Sequence, residues 1–193
     1  MIDKSKKTSL SKVDLIEFLE FYKNEICNYS YNYILEDDTE LIISFKEENF
    51  SHLLGLHKFK KINSYKTSKT SLKINEDIRS KNIILKELIN NEKKILTSEL
   101  KDRICYFPML KLLLEKADIV LKYDINAIWN TKIEFSFLFR TNKISVIIYL
   151  AVKEISESKK VCIPISFLVD RNDRFSKMKL KEIKVKEINI TRK

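Results

Sequence analysis

The stretch Glu182-Ile183-Lys184-Val185-Lys186-Glu187-Ile188-Asn189-Ile190 alternates polar with apolar side chains. Successive strand residues point to opposite faces, so the pattern reads as a strand with one wet face and one buried face. Upstream, Ile119–Tyr123, Lys132–Phe139, Lys143–Val152 and Val161–Val169 are rich in β-branched and aromatic residues. Polar breaks at Asn126, Thr141-Asn142 and Ser156–Lys160 separate them, which marks hairpin-length links. Phe135, Phe137, Ile147, Ile163, Ile165 and Phe167 are expected to face the core.

The first half carries a helical period. In Ser11–Cys27, with Ser11 as cap and Asp14 in the first turn, Val13, Ile16, Phe18, Leu19, Tyr22 and Ile26 recur near every 3.6 residues. Tyr29–Leu35 and Glu40–Phe45 flank Glu36-Asp37-Asp38-Thr39, a hairpin signal. A short helix follows over Asn49–Phe59, then helical patterns over Asn75–Asn91, Lys93–Tyr106 and, after Pro108, Met109–Lys116. Helices first and strands afterwards predict one α+β domain over residues 1–193. N-terminal helices and a small hairpin would pack on a C-terminal antiparallel sheet of about four to five strands. Residues 1–10 read as a flexible basic tail, and residues 58–75, rich in Lys, Ser and Thr, as a mobile basic loop.

With 44% hydrophobic residues the chain can bury a core, and no apolar run approaches the ~20 residues that cross a bilayer. The N-terminus lacks the apolar stretch of a signal peptide, so a cytoplasmic location is expected. Cys27, Cys105 and Cys162 are odd in number and far apart, each beside an isoleucine, which favours reduced thiols over a disulfide. Lys and Arg outnumber Asp and Glu by 37 to 27, a formal charge of +10 that favours a polyanionic partner. A single glycine excludes phosphate-cradling and nucleophile-elbow motifs, which need several.

Both histidines of the chain fall in Asn49-Phe50-Ser51-His52-Leu53-Leu54-Gly55-Leu56-His57-Lys58, and the only glycine lies between them. Histidine titrates near neutral pH and can act as acid or base, and a neighbouring lysine can hold a phosphate. On an unbroken helix, side chains five residues apart point about 140° from each other. His52 and His57 therefore share a site only if the helix breaks at Gly55; otherwise they are packing residues of a short helix. No third ligand accompanies them at metal-site spacing, so neither metal nor other cofactor is expected.

The run Phe45-Lys46-Glu47-Glu48-Asn49-Phe50-Ser51-His52-Leu53-Leu54-Gly55-Leu56-His57-Lys58 resembles the signature of a phage-associated branch of the barnase–EndoU–colicin–RelE nuclease fold. The resemblance continues through Arg103–Pro108, Leu112–Asp118, Pro164-Ile165-Ser166-Phe167 and Asn172-Asp173-Arg174-Phe175. The usual small residue or proline before the first histidine is Ser51 here. The resemblance implies a metal-independent ribonuclease of phage, prophage or toxin systems. It makes His52 and His57 the acid/base candidates and Lys58 the phosphate-binding cation, with Arg140 and Ser166 lining the same cleft.

RNA is the expected partner. Lys60, Lys61, Tyr65, Lys66 and Lys69 follow the histidines directly, and Arg171 and Arg174 open a C-terminal segment with nine basic against three acidic residues. An antitoxin or immunity protein, or a host-defence complex, would be a protein partner. The alternative function is a non-catalytic basic protein that binds RNA or a nucleoprotein complex, such as an inhibitor of host defence; attachment to anionic lipid is a third.

Overall fold

The computed structural model describes residues 2–64, 70–123, 134–142, 146–156, 160–171, 175, 178 and 180–193. Its frame is a closed seven-strand barrel in the order β1-β2-β6-β5-β4-β3-β7. The strands are β1 Tyr29–Leu35, β2 Glu40–Ser44, β3 Ile119–Lys122, β4 Phe137–Arg140, β5 Ile147–Ser156, β6 Val161–Asp170 and β7 Lys181–Arg192. The described helices are α1 Leu15–Tyr22, α2 Phe50–Leu54, α3 Lys60–Asn63, α4 Thr70–Arg79, α5 Leu85–Asn91, α6 Ser98–Tyr106 and α7 Leu110–Lys116.

This overturns the expected α+β arrangement of N-terminal helices on four to five antiparallel strands. The N-terminal hairpin is no satellite of the sheet: it closes it. β1 pairs antiparallel with β7 from Tyr29↔Arg192 to Leu35↔Val185, and β2 pairs parallel with β6 at Ile42↔Val161 and Ile43↔Cys162. The sheet is therefore mixed. Closure pairs the strand edges that an open sheet would leave exposed. These partners are more than a hundred residues apart, and no local period in the sequence encodes them.

Three register shifts redirect the strands, one of them on β5 between Glu154, opposite Cys162, and Ser156, opposite Val161. The alternation in β7 slips at Lys186-Glu187, and there Ile34 pairs with Glu187 while Leu35 pairs with Val185. On β6 the register passes from Ser166, opposite Ala151, to Pro164, opposite Val152, leaving Ile165 as the extra residue. A bulge shifts the pleat by one, which moves later side chains to the other face. Phe135, Phe137 and Phe167 are buried as expected, but Ile163 is 37% exposed and its neighbour Cys162 is buried instead. β5 is buried on both faces at Ile148–Val152, so it shows no alternation.

Packing around Phe107 fixes the N-terminal segment that carries the histidines. The Phe107 ring lies 6.0 Å from Phe18, 5.7 Å from Phe50 and 6.1 Å from Phe167, joining α1, α2 and β6. Asp14, rather than Ser11, caps α1: its Oδ1 accepts from the Ile16 N–H at 2.7 Å and the Glu17 N–H at 3.3 Å. The long helical pattern 75–91 divides into α4 and α5 around Lys81, whose φ is +60°. In the N-terminal tail, the Thr8 N–H donates to the Cys105 carbonyl at 2.8 Å. The described part of 58–75 contains α3 and the start of α4. The cysteines are free, and no described helix is long and apolar enough to cross a membrane.

Candidate active site

The short helix α2 has one face committed to the core. Phe50, Leu53 and Leu54 are fully buried, and burial of each such side chain stabilises the fold by about 1.5–3 kcal/mol. His52 falls on the opposite side and is exposed. The helix stops at Gly55, whose φ of +79° and ψ of +18° are left-handed, a conformation that glycine adopts without a Cβ penalty. The chain then re-enters as a 3₁₀ turn over Leu56–Lys58, closed by the Phe59 N–H donating to the Leu56 carbonyl at 3.0 Å.

This break cancels the divergence of a regular helix. The His52 and His57 rings stack with centroids 4.5 Å apart and planes 20° from parallel. Gly55 is also the slot for a neighbour. A Cβ there would lie 2.8 Å from Leu100 Cδ1 and 3.2 Å from both Cδ and Nη1 of Arg103. Arg103, on α6, is 8% exposed. Glu99 sits one turn earlier on the same helix, where i and i+4 share a face.

The local charge is positive, and it acts on both rings. Although His52 keeps exposed surface, partial shielding from water by the surrounding protein first, then the Arg103 guanidinium, lowers its pKa from the usual 6.5, while a hydrogen bond with the Ile165 backbone raises it. Ile165 is the bulged residue of β6, so the same irregularity that breaks the ladder presents a backbone acceptor to His52. His57 is pushed down to about 4 by burial, then by His52, Arg103 and Lys58. Among the described residues its buried Nδ1 has no hydrogen-bond partner. The Lys58 ammonium is lowered by burial and by Arg103, and raised by Glu99. Among the described residues, no group of three His, Cys, Asp or Glu side chains gathers as a metal site.

A family model of phage-Barnase-EndoU-ColicinE5/D-RelE like nucleases, the fourth of that series, matches residues 14–192. The chain belongs to this family. Membership in a phage-associated nuclease family implies a nucleic-acid substrate. No curated protein and no solved structure matches the chain.

Within this family member the other expected site residues are dispersed. Ser166 is buried on β6, next to Ile165 and opposite Ala151. Arg140 ends β4, opposite Ile119 and Tyr149, and its Nη2 lies 3.4 Å from Glu182 Oε2 on β7. It is not among the charges acting on either histidine. Lys60 is exposed; its backbone N–H donates to Glu92 Oε1 at 2.9 Å, starting α3. The Lys61 ammonium donates to the Asn82 carbonyl at 2.7 Å. Arg171 pairs with Asp102, its Nη2 donating to Oδ1 at 2.8 Å. Tyr65, Lys66, Lys69 and Arg174 lie outside the described residues.

Sequence reasoning passes over two members of this cluster, Arg103 and the Ile165 backbone. An arginine in a helix rich in Glu and Lys reads as solvated. The signal against that reading was its position directly before the apolar run Ile104-Cys105-Tyr106-Phe107. Nothing in one sequence signals the Ile165 bulge.

Proposed function

We propose that this nuclease-family protein is a metal-independent endoribonuclease that cleaves RNA by attack of the 2′-hydroxyl, with His52 and His57 as its proton-transfer groups. The observation that carries the reading is the stacked pair, 4.5 Å apart, beside Lys58. Two imidazoles this close do not both hold a charge easily, because the first proton repels the second. His57 is the poorer proton acceptor, so the first proton goes to His52, whose charged form the Ile165 backbone supports. That state pairs one acid with one base.

In the reaction, neutral His57 takes the proton of the 2′-hydroxyl as O2′ bonds to phosphorus. The P–O5′ bond breaks, and protonated His52 gives its proton to the leaving 5′ oxygen. The products are a 2′,3′-cyclic phosphate and a 5′-hydroxyl, and no other reagent is consumed. Lys58 holds the phosphate charge. Bound RNA also raises both histidine pKa values, since a nearby anion favours the imidazolium.

The test is cleavage of defined RNA oligonucleotides in EDTA. The expected products end in cyclic phosphate or its 3′-phosphate hydrolysis product, and one 2′-deoxy substitution at the cleaved position abolishes the reaction. Cleavage of the deoxy substrate would exclude the mechanism. A folded protein that binds RNA and leaves it intact would favour the non-catalytic binder.

A further inference from the structure

We infer that the outer face of β1, β2, β6 and β5 docks a second copy of this chain, related by a two-fold axis that runs along the strands between β2 and β6. This face lies away from the histidines, and its docking is independent of the ribonuclease reading.

Strand alternation defines the face. Tyr31, Tyr33, Leu35, Leu41, Ile43 and Cys162 are buried on the inner side. Their strand neighbours Ile34, Ile42, Val161 and Ile163 therefore point outward. Register sets these side by side: Ile42 pairs with Val161, Ile163 pairs with Lys153, and Ile155 is the extra residue of the neighbouring β5 bulge. Ile155 is 59% exposed and Ile163 37%, while Ile34, Ile42 and Val161 are half-buried. None of the five belongs to either of the two described hydrophobic cores. One exposed isoleucine is ordinary, but five aliphatic side chains on four adjacent strands make a contiguous patch, the mark of an interaction surface.

Closure of the barrel narrows the ways to cover this patch. Each strand is paired on both sides, so no edge is open to a partner's strand and a partner must lie on a face.

The pattern of the face fits a copy of itself. A half-turn about an axis along the strands, midway between β2 and β6, lays β2 of one copy over β6 of the other and keeps each residue at its own height. Ile42 and Val161 share a height, so Ile42 meets the partner's Val161 and Val161 meets the partner's Ile42. Glu40 is exposed two residues before Ile42, and Lys160 directly precedes Val161. Glu40 therefore meets the partner's Lys160, and the symmetry makes that opposite-charge contact twice. Two other acids near this edge are engaged within the chain, Asp37 with Lys181 at 3.9 Å and Asp38 with Lys186 at 3.3 Å. A stable dimer buries about 800 Å² on each side, more than the aliphatic patch alone offers, so the charged ends must be part of the contact. The histidines stay clear of it: Phe50, Leu53 and Leu54 pack α2 into the same core as Cys162 and Phe167, on the inner side of β6.

Sedimentation equilibrium of the full chain, from micromolar to several hundred micromolar, is the test. The wild-type protein is expected to approach twice its 23.0 kDa mass as concentration rises. Ile155→Lys and Ile42→Lys should each weaken association by about tenfold or more, the effect of losing a side chain at the centre of an interface. Both should keep the wild-type circular dichroism spectrum, since neither side chain packs into a core. Glu40→Lys and Lys160→Glu should each weaken association as well, because each sets like charges together at both contacts. An equimolar mixture of these two variants should recover the wild-type affinity, since both contacts of the mixed dimer again join opposite charges. If an isoleucine variant fails to fold, the two charge variants, both at the surface, still decide. A wild-type chain that stays at 23.0 kDa throughout overturns the inference and leaves the face to a partner of another kind. A dimer that survives Ile155→Lys with unchanged affinity, or a mixture that associates no better than its components, overturns it as well.

Discussion

Arg103 and Arg140 are both drawn into the protein, at 8% exposure for the one residue and 17% for the other's side chain, yet they keep different company. Arg140 projects from the end of β4 toward a carboxylate, Glu182, on β7. Arg103 projects from α6 into a corner where its charge meets two imidazoles and an ammonium. The Arg140 guanidinium faces an acid through Nη2, while among the described residues its buried Nε has no hydrogen-bond partner. The other adds its charge to a corner that holds His52, His57 and Lys58, with the Glu99 carboxylate acting there as well. The type of residue says little here, and its neighbours decide the role. Both arginines are preceded by apolar or mixed sequence, so only the tertiary arrangement separates them.

The largest expected effects test whether the corner, rather than the sheet, holds the chemistry. His52→Ala and His57→Ala should each lower kcat by roughly 10²–10⁴, the range for a lost general acid or base, while RNA binding persists. Arg140→Gln should leave kcat within a few-fold and cost about 0–1 kcal/mol of stability, the usual worth of a partly exposed ion pair. A steady-state comparison on one RNA substrate checks all three. If Arg140→Gln falls as far as the histidine variants, the catalytic cleft extends across the sheet and the contrast fails.

Gly55→Ala is the next sharpest cut, because it acts on the corner without removing a titrating group. The left-handed backbone costs a side-chain-bearing residue about 1–2 kcal/mol, and the new Cβ would meet Leu100 Cδ1 at 2.8 Å. A melting temperature lower by about 2–8 °C is expected for a chain of this length. Gly55→Asn separates the two causes. Asparagine tolerates the left-handed region but still fills the slot, so it should recover stability more than activity. Equal recovery of both would mean that only the turn matters.

The histidine turn was legible because its elements are local: two histidines, one glycine and a run of leucines within ten residues. The condition that a break at Gly55 would unite the rings follows from helix geometry alone, and the left-handed Gly55 meets it. Strand content in the second half was legible for the same reason, since β-branched runs and polar breaks are local features. Barrel closure was not. The β1–β7 and β2–β6 pairings join residues that share no period and are joined only by the path of the chain between them. The bulge at Ile165 was equally hidden, because it depends on what lies opposite in β5. Arg103 fell between these cases: its apolar surroundings were in the sequence, but the slot that receives it was not.

The pH profile offers a smaller effect with a definite sign. In kcat/KM, activity should fall below about 4, where the base His57 becomes protonated. It should fall again on the alkaline side at a pKa below 6.5, where the acid His52 loses its proton. The optimum is then acidic, and it moves upward in kcat because bound RNA favours the imidazolium. Stability follows the same groups. The unfolded chain binds a proton near 6.5 that folded His57 refuses until about 4, so stability should decline as pH falls through that window. His57→Ala should flatten the decline. A profile centred above pH 7.5, measured with saturating and subsaturating RNA, would reverse the acid and base assignment or remove it.

The smallest effects concern the lysines that follow the site, and they extend the comparison to single charges. Each phosphate contact on a single strand contributes about −0.7 to the slope of log affinity against log salt, because counterions are released on binding. Lys60 and Lys61 are adjacent but not equivalent. Lys60 is exposed, whereas the Lys61 ammonium donates to the Asn82 carbonyl at 2.7 Å. Lys60→Gln should therefore flatten the slope by about 0.7. Lys61→Gln should flatten it less and cost stability instead, because it removes a tie between α3 and the Asn82 turn. Lys66→Gln and Lys69→Gln complete the series, and the fourfold variant should bind RNA more weakly than any single change. Fluorescence anisotropy at several salt concentrations gives the slopes. If Lys61→Gln flattens the slope as much as Lys60→Gln, its ammonium leaves Asn82 when RNA arrives, and α3 takes part in binding as a rearranging element. If neither changes it, the RNA path runs instead from the histidine corner toward Arg171, and an Arg171→Gln variant becomes the one that must flatten the slope.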